Sequence, residues 1–253
     1  QEAVTLLPEQ KYSSSSEPWR ASLGAVIAMQ AKVNLFQENW SEVINIVNEL
    51  QTYDFYSLDE DYFDPFDVDK EYQENEVIFS YNHVSGVTPS KGNGLAALMG
   101  WGFVAPTQNF VNEFEENDPR LGYTVQVDQQ QPNKLLGTTD GRYKGNEDSP
   151  GNKIYIRYAD VLLWKAEALI QTGEVEEGLG IVDQIRTRAR NTETVDGSPT
   201  PSSALPNYAG TGLSQSEALE ALRHERRVEL GFETQRFNDL KRWGIAEKVL
   251  TDL

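Results

Sequence analysis

Residues 154–190, IYIRYADVLLWKAEALIQTGEVEEGLGIVDQIRTRAR, decide the fold. Tyr158, Val161, Leu162, Lys165 and Leu169 fall at three- and four-residue steps, and Ile154, Ile156, Leu163, Trp164 and Ile170 load other faces, so the spacing predicts one helix from Ile154 onward. A helix apolar nearly all round is buried on several sides. Gly173 follows and can supply the left-handed stop of a helix. Beyond it Val175, Leu179, Val182, Ile185 and Ala189 repeat at helical spacing and predict a partner with a single apolar stripe. The two helices are expected to lie antiparallel across a short turn.

The unit has about the 34 residues of a tetratricopeptide-type hairpin, and such hairpins need stacked neighbours to bury their faces. Residues 19–51, WRASLGAVIAMQAKVNLFQENWSEVINIVNELQ, provide one. Leu23, Val26, Ile27, Met29 and Val33 mark its first helix, and Trp40, Val43, Ile46, Val47 and Leu50 its second. Small residues, Ala28 and Ala31 in one hairpin and Ala166 and Ala168 in the other, stand where helices would cross. A third helical block spans 214–244. It opens on a capping-box sequence, Ser214 to Glu217, bends near Gly231 and stops at Gly244. Its charges between 225 and 242, including Arg236, are read with Arg157 and Arg186 as architectural.

Three segments, YIRYADVLLWKAEALIQTG, VDQIRTRAR and HERRVELGFETQRFNDLKRWG, resemble the signature of the SusD/RagB family, and NEVIFSYN, PTQNFVNEFEENDPR and the hairpin ending in YDFYSL extend the resemblance over about 19–244. It implies a mainly α, SusD-like superhelix of tetratricopeptide-like hairpins with a large irregular insertion at 52–153 that holds a few short strands. It also implies a nutrient-binding lipoprotein of the outer-membrane surface of Bacteroidetes, non-catalytic, with a glycan ligand and a SusC-like TonB-dependent transporter as partners. Residues 1–253 are read as a single region truncated at both ends, because a secretion signal, a lipid-carrying Cys and a Pro-rich tail are expected of the family and do not occur in this sequence. Membrane association would then run only through that lipid anchor.

Composition narrows the function classes. No run of 18 apolar residues crosses a bilayer. The net charge is −18; residues 1–150 carry 9 basic and 24 acidic side chains, so most of the charge lies in the first part of the chain. That field repels a phosphate backbone, so no nucleic-acid partner is expected. Neither histidine, His83 or His224, sits in a metalloprotease or nucleophile-elbow context, and SKGNG lacks the Gly-Lys-Ser/Thr ending of a phosphate loop. No catalytic residue, cofactor or metal is assigned. The acidic run from Asp59 to Glu71 fails the EF-hand pattern, because Phe63 falls at its fifth position.

Residues 52–153 are rich in Gly, Asn and aromatics, with strand-like alternation only at 77–84 and 123–129. Long insertions of this kind tend to be functional. Sugar recognition needs flat apolar faces for rings and amide or charged groups for hydroxyls. Trp101 between Gly100 and Gly102, and the run Tyr81, Asn82, His83 at the end of the first strand, are the candidate ligand-binding residues. The aromatics of 53–66 are read as mostly core or interface. The alternatives are a tetratricopeptide-like protein scaffold or a peptide-capture protein without a glycan site; a glycoside hydrolase would require two carboxylates facing each other across an aromatic cleft.

Overall fold

The computed structural model describes residues 2–14, 16–95, 98, 101–129 and 131–251. After a short turn of helix, α1 (Glu2–Leu6), the first hairpin is α2 (Leu23–Phe36) and α3 (Trp40–Thr52). Ser22 caps α2 by accepting a hydrogen bond from the Ala25 amide at 3.2 Å. Leu23, Ile27, Ala28, Ala31 and Leu35 of α2 are buried against Val43, Ile46, Val47 and Leu50 of α3 and against Trp164 and Ala168. Met29, Val33 and Phe36 stay exposed on the opposite side of α2. There Met29 and Val33 line a shallow groove of about 530 Å³ that Ile46 and Phe79 complete.

The second hairpin is α7 (Tyr158–Thr172) and α8 (Val175–Asn191). Gly173 joins them with φ +97°, and its amide bonds the Ile170 carbonyl at 3.2 Å while the Glu174 amide bonds that of Leu169 at 2.9 Å. The helix apolar all round is α7. One side packs on α2 and α3, and the other, through Leu162, Leu163, Ala166 and Leu169, meets α8 and the next helix, α9 (Gln215–Glu229). The capping box of α9 is present, with Ser214 accepting from the Glu217 amide and Glu217 from the Ser214 amide. The chain then turns through 230–235 into α10 (Arg236–Arg242) and ends in α11 (Ala246–Thr251). The protein is mainly α-helical.

Two expectations need correction. Residues Lys153–Arg157 form strand β4, so Ile154 and Ile156 lie in a strand that runs directly into α7. Their period-two spacing points Ile154 and Ile156 to the buried face while Tyr155 faces solvent. The strand β4 pairs antiparallel with β1 (Val77–Tyr81), Val77 opposite Arg157 and Tyr81 opposite Lys153. The stretch 123–129 is mostly turn and helix: α5 (Arg120–Thr124) ends inside it, β2 is only Val125–Gln126, paired with β3 (Gln131–Pro132), and 127–129 form a 3₁₀ turn. Two more single-turn helices, α4 (Gln108–Val111) and α6 (Asn133–Leu136), punctuate the insertion.

Candidate functional site

A buried ion network anchors the insertion to the helical frame. Five cations, Arg120, Lys134, Arg157, Arg186 and Arg188, meet five carboxylates, Glu76, Asp118, Glu225, Glu229 and Glu233. Glu76, Asp118, Arg120 and Lys134 come from the insertion, Arg157 from β4, Arg186 and Arg188 from α8, and the three remaining glutamates from α9 and the turn after it. Arg120 reaches Asp118 at 2.8 Å, Glu225 at 2.5 Å and Glu229 at 3.0 Å. Arg188 holds Glu229 at 2.5 Å and Glu76 at 3.1 Å. Equal numbers of charges leave none of these ten uncompensated, the condition under which buried ions are tolerated. Burial pushes the Glu229 carboxyl up, and the surrounding Arg188, Arg157 and Arg120 more than reverse this, holding it well below the usual carboxylate range. For Lys134 burial prevails and lowers the ammonium to about 8 despite Glu233. Its Nζ sits 4.6 Å from the centre of the Tyr62 ring and 4.7 Å from that of Phe66, so part of the aromatic cluster at 53–66 roofs the network.

A second cluster ties α10 to α7 and α9. Arg226 hydrogen-bonds Asp239 at 2.9 Å and forms an ion pair with Asp160 at 2.9 Å; Arg242 bonds Glu167 at 2.5 Å, which also accepts from Trp243 Nε1 at 2.8 Å. His224 on α9 clamps the segment before α5, with Nδ1 3.0 Å from Glu113 and Nε2 3.3 Å from Glu115. Burial alone would lower the imidazole, yet the two carboxylates raise it to about 9. The architectural reading of Arg157, Arg186 and most charges at 225–242 agrees with these partners. Arg236 departs from it: its side chain makes neither a hydrogen bond nor an ion pair among the described residues.

On this base stand the loops that carry the candidate ligand residues. Gly86 N and Ser90 Oγ donate to Asp148 at 2.6 and 2.8 Å, Asn93 N donates to the Ser149 carbonyl at 2.7 Å, and Asn93 Nδ2 to that of Gly151 at 2.8 Å. His83 N donates to Asn152 Oδ1 at 2.8 Å. Residues 148–152 therefore hold the whole 83–93 loop. Further on, Leu98 and Val104 pack on the buried Leu136 of α6, and the Phe103 amide bonds the Leu98 carbonyl at 3.1 Å.

The candidates are placed as two aromatic pairs. Tyr81, 61% exposed, stands edge-on to His83 with ring centres 5.1 Å apart, and the His83 ring lies 3.3 Å from the Lys91 carbonyl. Trp101, 56% exposed, stands edge-on to Phe103 at 6.3 Å. Gly100 lies outside the described residues. Asn82 is part-buried, and its side-chain oxygen accepts from the Tyr72 hydroxyl, which leaves it a smaller share in any recognition. Phe103, 73% exposed, is the residue that sequence reasoning passed over. Its position two residues after Trp101 in GWGF was the available signal. Rings paired edge-on, with Tyr81, Trp101 and Phe103 exposed, offer apolar faces suited to stacking on flat ligands.

The acidic run 59–71 is dispersed. Asp59 is buried and accepts from the Asn75 amide, Asp64 holds Lys70, and Asp69 holds Arg142. Among the described residues no group of three or more His, Cys, Asp or Glu is placed to hold a metal ion.

The SusD family profile matches residues 131–252, which include α7 to α10 and the carboxylates of the network on α9. Residues 131–252 belong to the SusD family. SusD-like protein P25 of Formosa agariphila is 24% identical across 92% of this chain and 52% of its own length. A solved SusD superfamily protein from Bacteroides vulgatus superposes with TM-score 0.72 at 26% identity, covering 99% of this chain and 56% of that one. A laminarin-binding SusD-like protein superposes with TM-score 0.76 at 24% identity, covering 99% and 60%. The chain thus spans about half the length of the P25 relative. No helix among its described residues is long and apolar enough to cross a membrane.

Proposed function

We propose that this chain is part of a non-catalytic glycan-binding protein of the cell surface, lipid-anchored in the outer membrane, which hands its ligand to a SusC-like TonB-dependent transporter. The observation that carries the reading is the pair of edge-on aromatic contacts, exposed Tyr81 with half-buried His83 and exposed Trp101 with exposed Phe103, on loops fixed to the frame. Sugar rings present C–H faces that pack on such aromatics, and the His83 ring lies beside Tyr81 for a hydroxyl. A relative of the same fold is a laminarin-binding protein, which supports a glycan over a peptide. The non-catalytic part is supported by relatives of the same fold that are named as binding proteins, a laminarin-binding one and a surface glycan-binding one among them.

Titration with a panel of oligosaccharides, laminarin-derived ones included, tests the proposal beside Trp101→Ala and a melting curve. At least one glycan should bind, and Trp101→Ala should weaken it by roughly tenfold at unchanged melting temperature. Equal affinity in the variant removes Trp101 from the site. Failure of every glycan favours the scaffold or peptide-capture reading, and release of reducing ends from any polymer would refute the non-catalytic one.

A further inference from the structure

A cavity of about 300 Å³ lies between the turn after α9, the helices α10 and α11, and the segment 105–110. Its walls are mostly apolar: Phe110, Leu230, Phe232, Leu240, Val249 and Leu250. Phe110 and Phe232 meet edge-on at 5.6 Å. Gly231 admits the Phe110 ring, because a Cβ there would stand 2.4 Å from Phe110 Cζ. Phe232 keeps its place in the wall with φ +63°, a conformation that bulky residues rarely adopt.

Four charged side chains complete the lining: Arg226, Arg227, Asp239 and Arg236. Arg236 lines the cavity, is half-buried, and has no hydrogen bond or ion pair among the described residues. The nearby carboxylates are committed elsewhere: Asp239 to Arg226 and Arg242, and Glu113 to Arg227 and His224. Burial and the neighbouring Arg227 lower its pKa, and the fields of Glu113 and Asp239 offset this only in part. The contrast with its surroundings is sharp. Arg120, Arg157, Arg186, Arg188, Arg226 and Arg242 are each closed by two or more carboxylates. A guanidinium removed from water without a partner is unfavourable, and its planar fork is shaped for a carboxylate.

We infer that this cavity is a second binding site, for a compact amphiphilic carboxylate whose aromatic or aliphatic body fills the pocket of Phe110, Phe232 and Leu240 while its carboxylate pairs with Arg236. The chemistry is shared by a free arylalkanoic acid and by the C-terminal residue of a peptide that ends in an apolar side chain. The long-range field of the −18 chain disfavours polyanions, so a ligand with one negative charge is the better fit.

Calorimetric titration of the whole chain with 3-phenylpropionate against 3-phenylpropanol, and of acetyl-Gly-Phe against its C-terminal amide, tests the inference. In at least one pair the acid should bind about tenfold more tightly or better than the neutral compound. Preference in the first pair identifies a free acid as sufficient, and preference in the second alone identifies a chain end. Arg236→Gln should erase the preference and Arg236→Lys keep part of it, with the parent's melting temperature in both. Trp101→Ala should leave it unchanged, which separates this site from the glycan loops. Equal binding of acid and neutral partner in both pairs, absence of binding, or a preference that survives Arg236→Gln would each overturn the inference.

Discussion

Arg157 and Glu229 meet twice: Nη1 of the arginine bonds the glutamate side chain at 2.9 Å, and Nη2 bonds the backbone carbonyl of the same residue at 2.9 Å. One guanidinium thus fixes both the carboxylate and the end of α9, while Glu229 also serves Arg120 and Arg188. Glu229→Gln keeps the shape and removes the charge that compensates three buried cations. It is expected to cost about 3–5 kcal/mol and to lower the urea midpoint accordingly. A midpoint equal to that of the parent would show that the remaining carboxylates can rebalance the cluster.

His224 gives stability a pH dependence. With its folded pKa raised to about 9, its contribution is complete below the ordinary imidazole value of 6.5 and is lost as pH rises through about 9. Glu115, lowered to about 2 by its hydrogen bonds to His224 and Arg186, contributes above 4.5 and loses its effect as pH falls through about 2. The clip is therefore strongest between about pH 4.5 and 6.5. His224→Gln should cost about 1 kcal/mol at pH 6, after allowance for partial exposure, or ~2–4 °C in melting temperature. Between pH 6.5 and 9.5 the parent's excess stability over the variant should disappear; a constant gap would contradict the assignment.

Two glycines of α8 separate propensity from packing. A Cβ on Gly178 would lie 2.6 Å from Ile170 Cγ1 and 2.8 Å from the Ala166 carbonyl, whereas Gly180 has open space. Gly178→Ala should destabilise by about 1–3 kcal/mol in spite of the better helix former. Gly180→Ala should stabilise by roughly 0.5–1 kcal/mol. Thermal unfolding of both variants is the check, and opposite signs are required.

Tyr81→Ala and Phe103→Ala probe the edges beside the residues tested above. Both side chains are exposed, so melting should not change, while affinity for a bound glycan should fall roughly three- to tenfold in each. If Phe103→Ala has no effect and Trp101→Ala does, recognition uses the Trp face alone.

The long helices were legible in the sequence because apolar residues at helical spacing report burial directly, as in Leu179, Val182 and Ile185. The strand β4 was not, since Ile154 and Ile156 abut the apolar run of α7 and two alternating residues read equally well as a further helical turn. The short helices α5 and α6 had no signal of their own. They are held by Arg120 and Lys134, whose partners lie about a hundred residues away in sequence, and such pairings leave no local pattern. The dense charges of 225–242 announced a cluster, but only coordinates show that Glu76, Asp118, Arg120 and Lys134 complete it and that Arg236 stands outside it. At the candidate site the aromatic residues were readable and their pairing was not, because Tyr81 meets His83 through the turn that Asn152 fixes.

The placement of the anchors has a consequence for how such a protein can change. Glu76, Asp118, Arg120 and Lys134 flank residues 82–104 on both sides and none lies within that stretch. Among the described residues there, the exposed Trp101 and Phe103 make none of the salt links, so exchanging them leaves that foundation intact. The chain behaves like a fixed chuck that accepts different bits, and new specificities can be tried at little risk to folding.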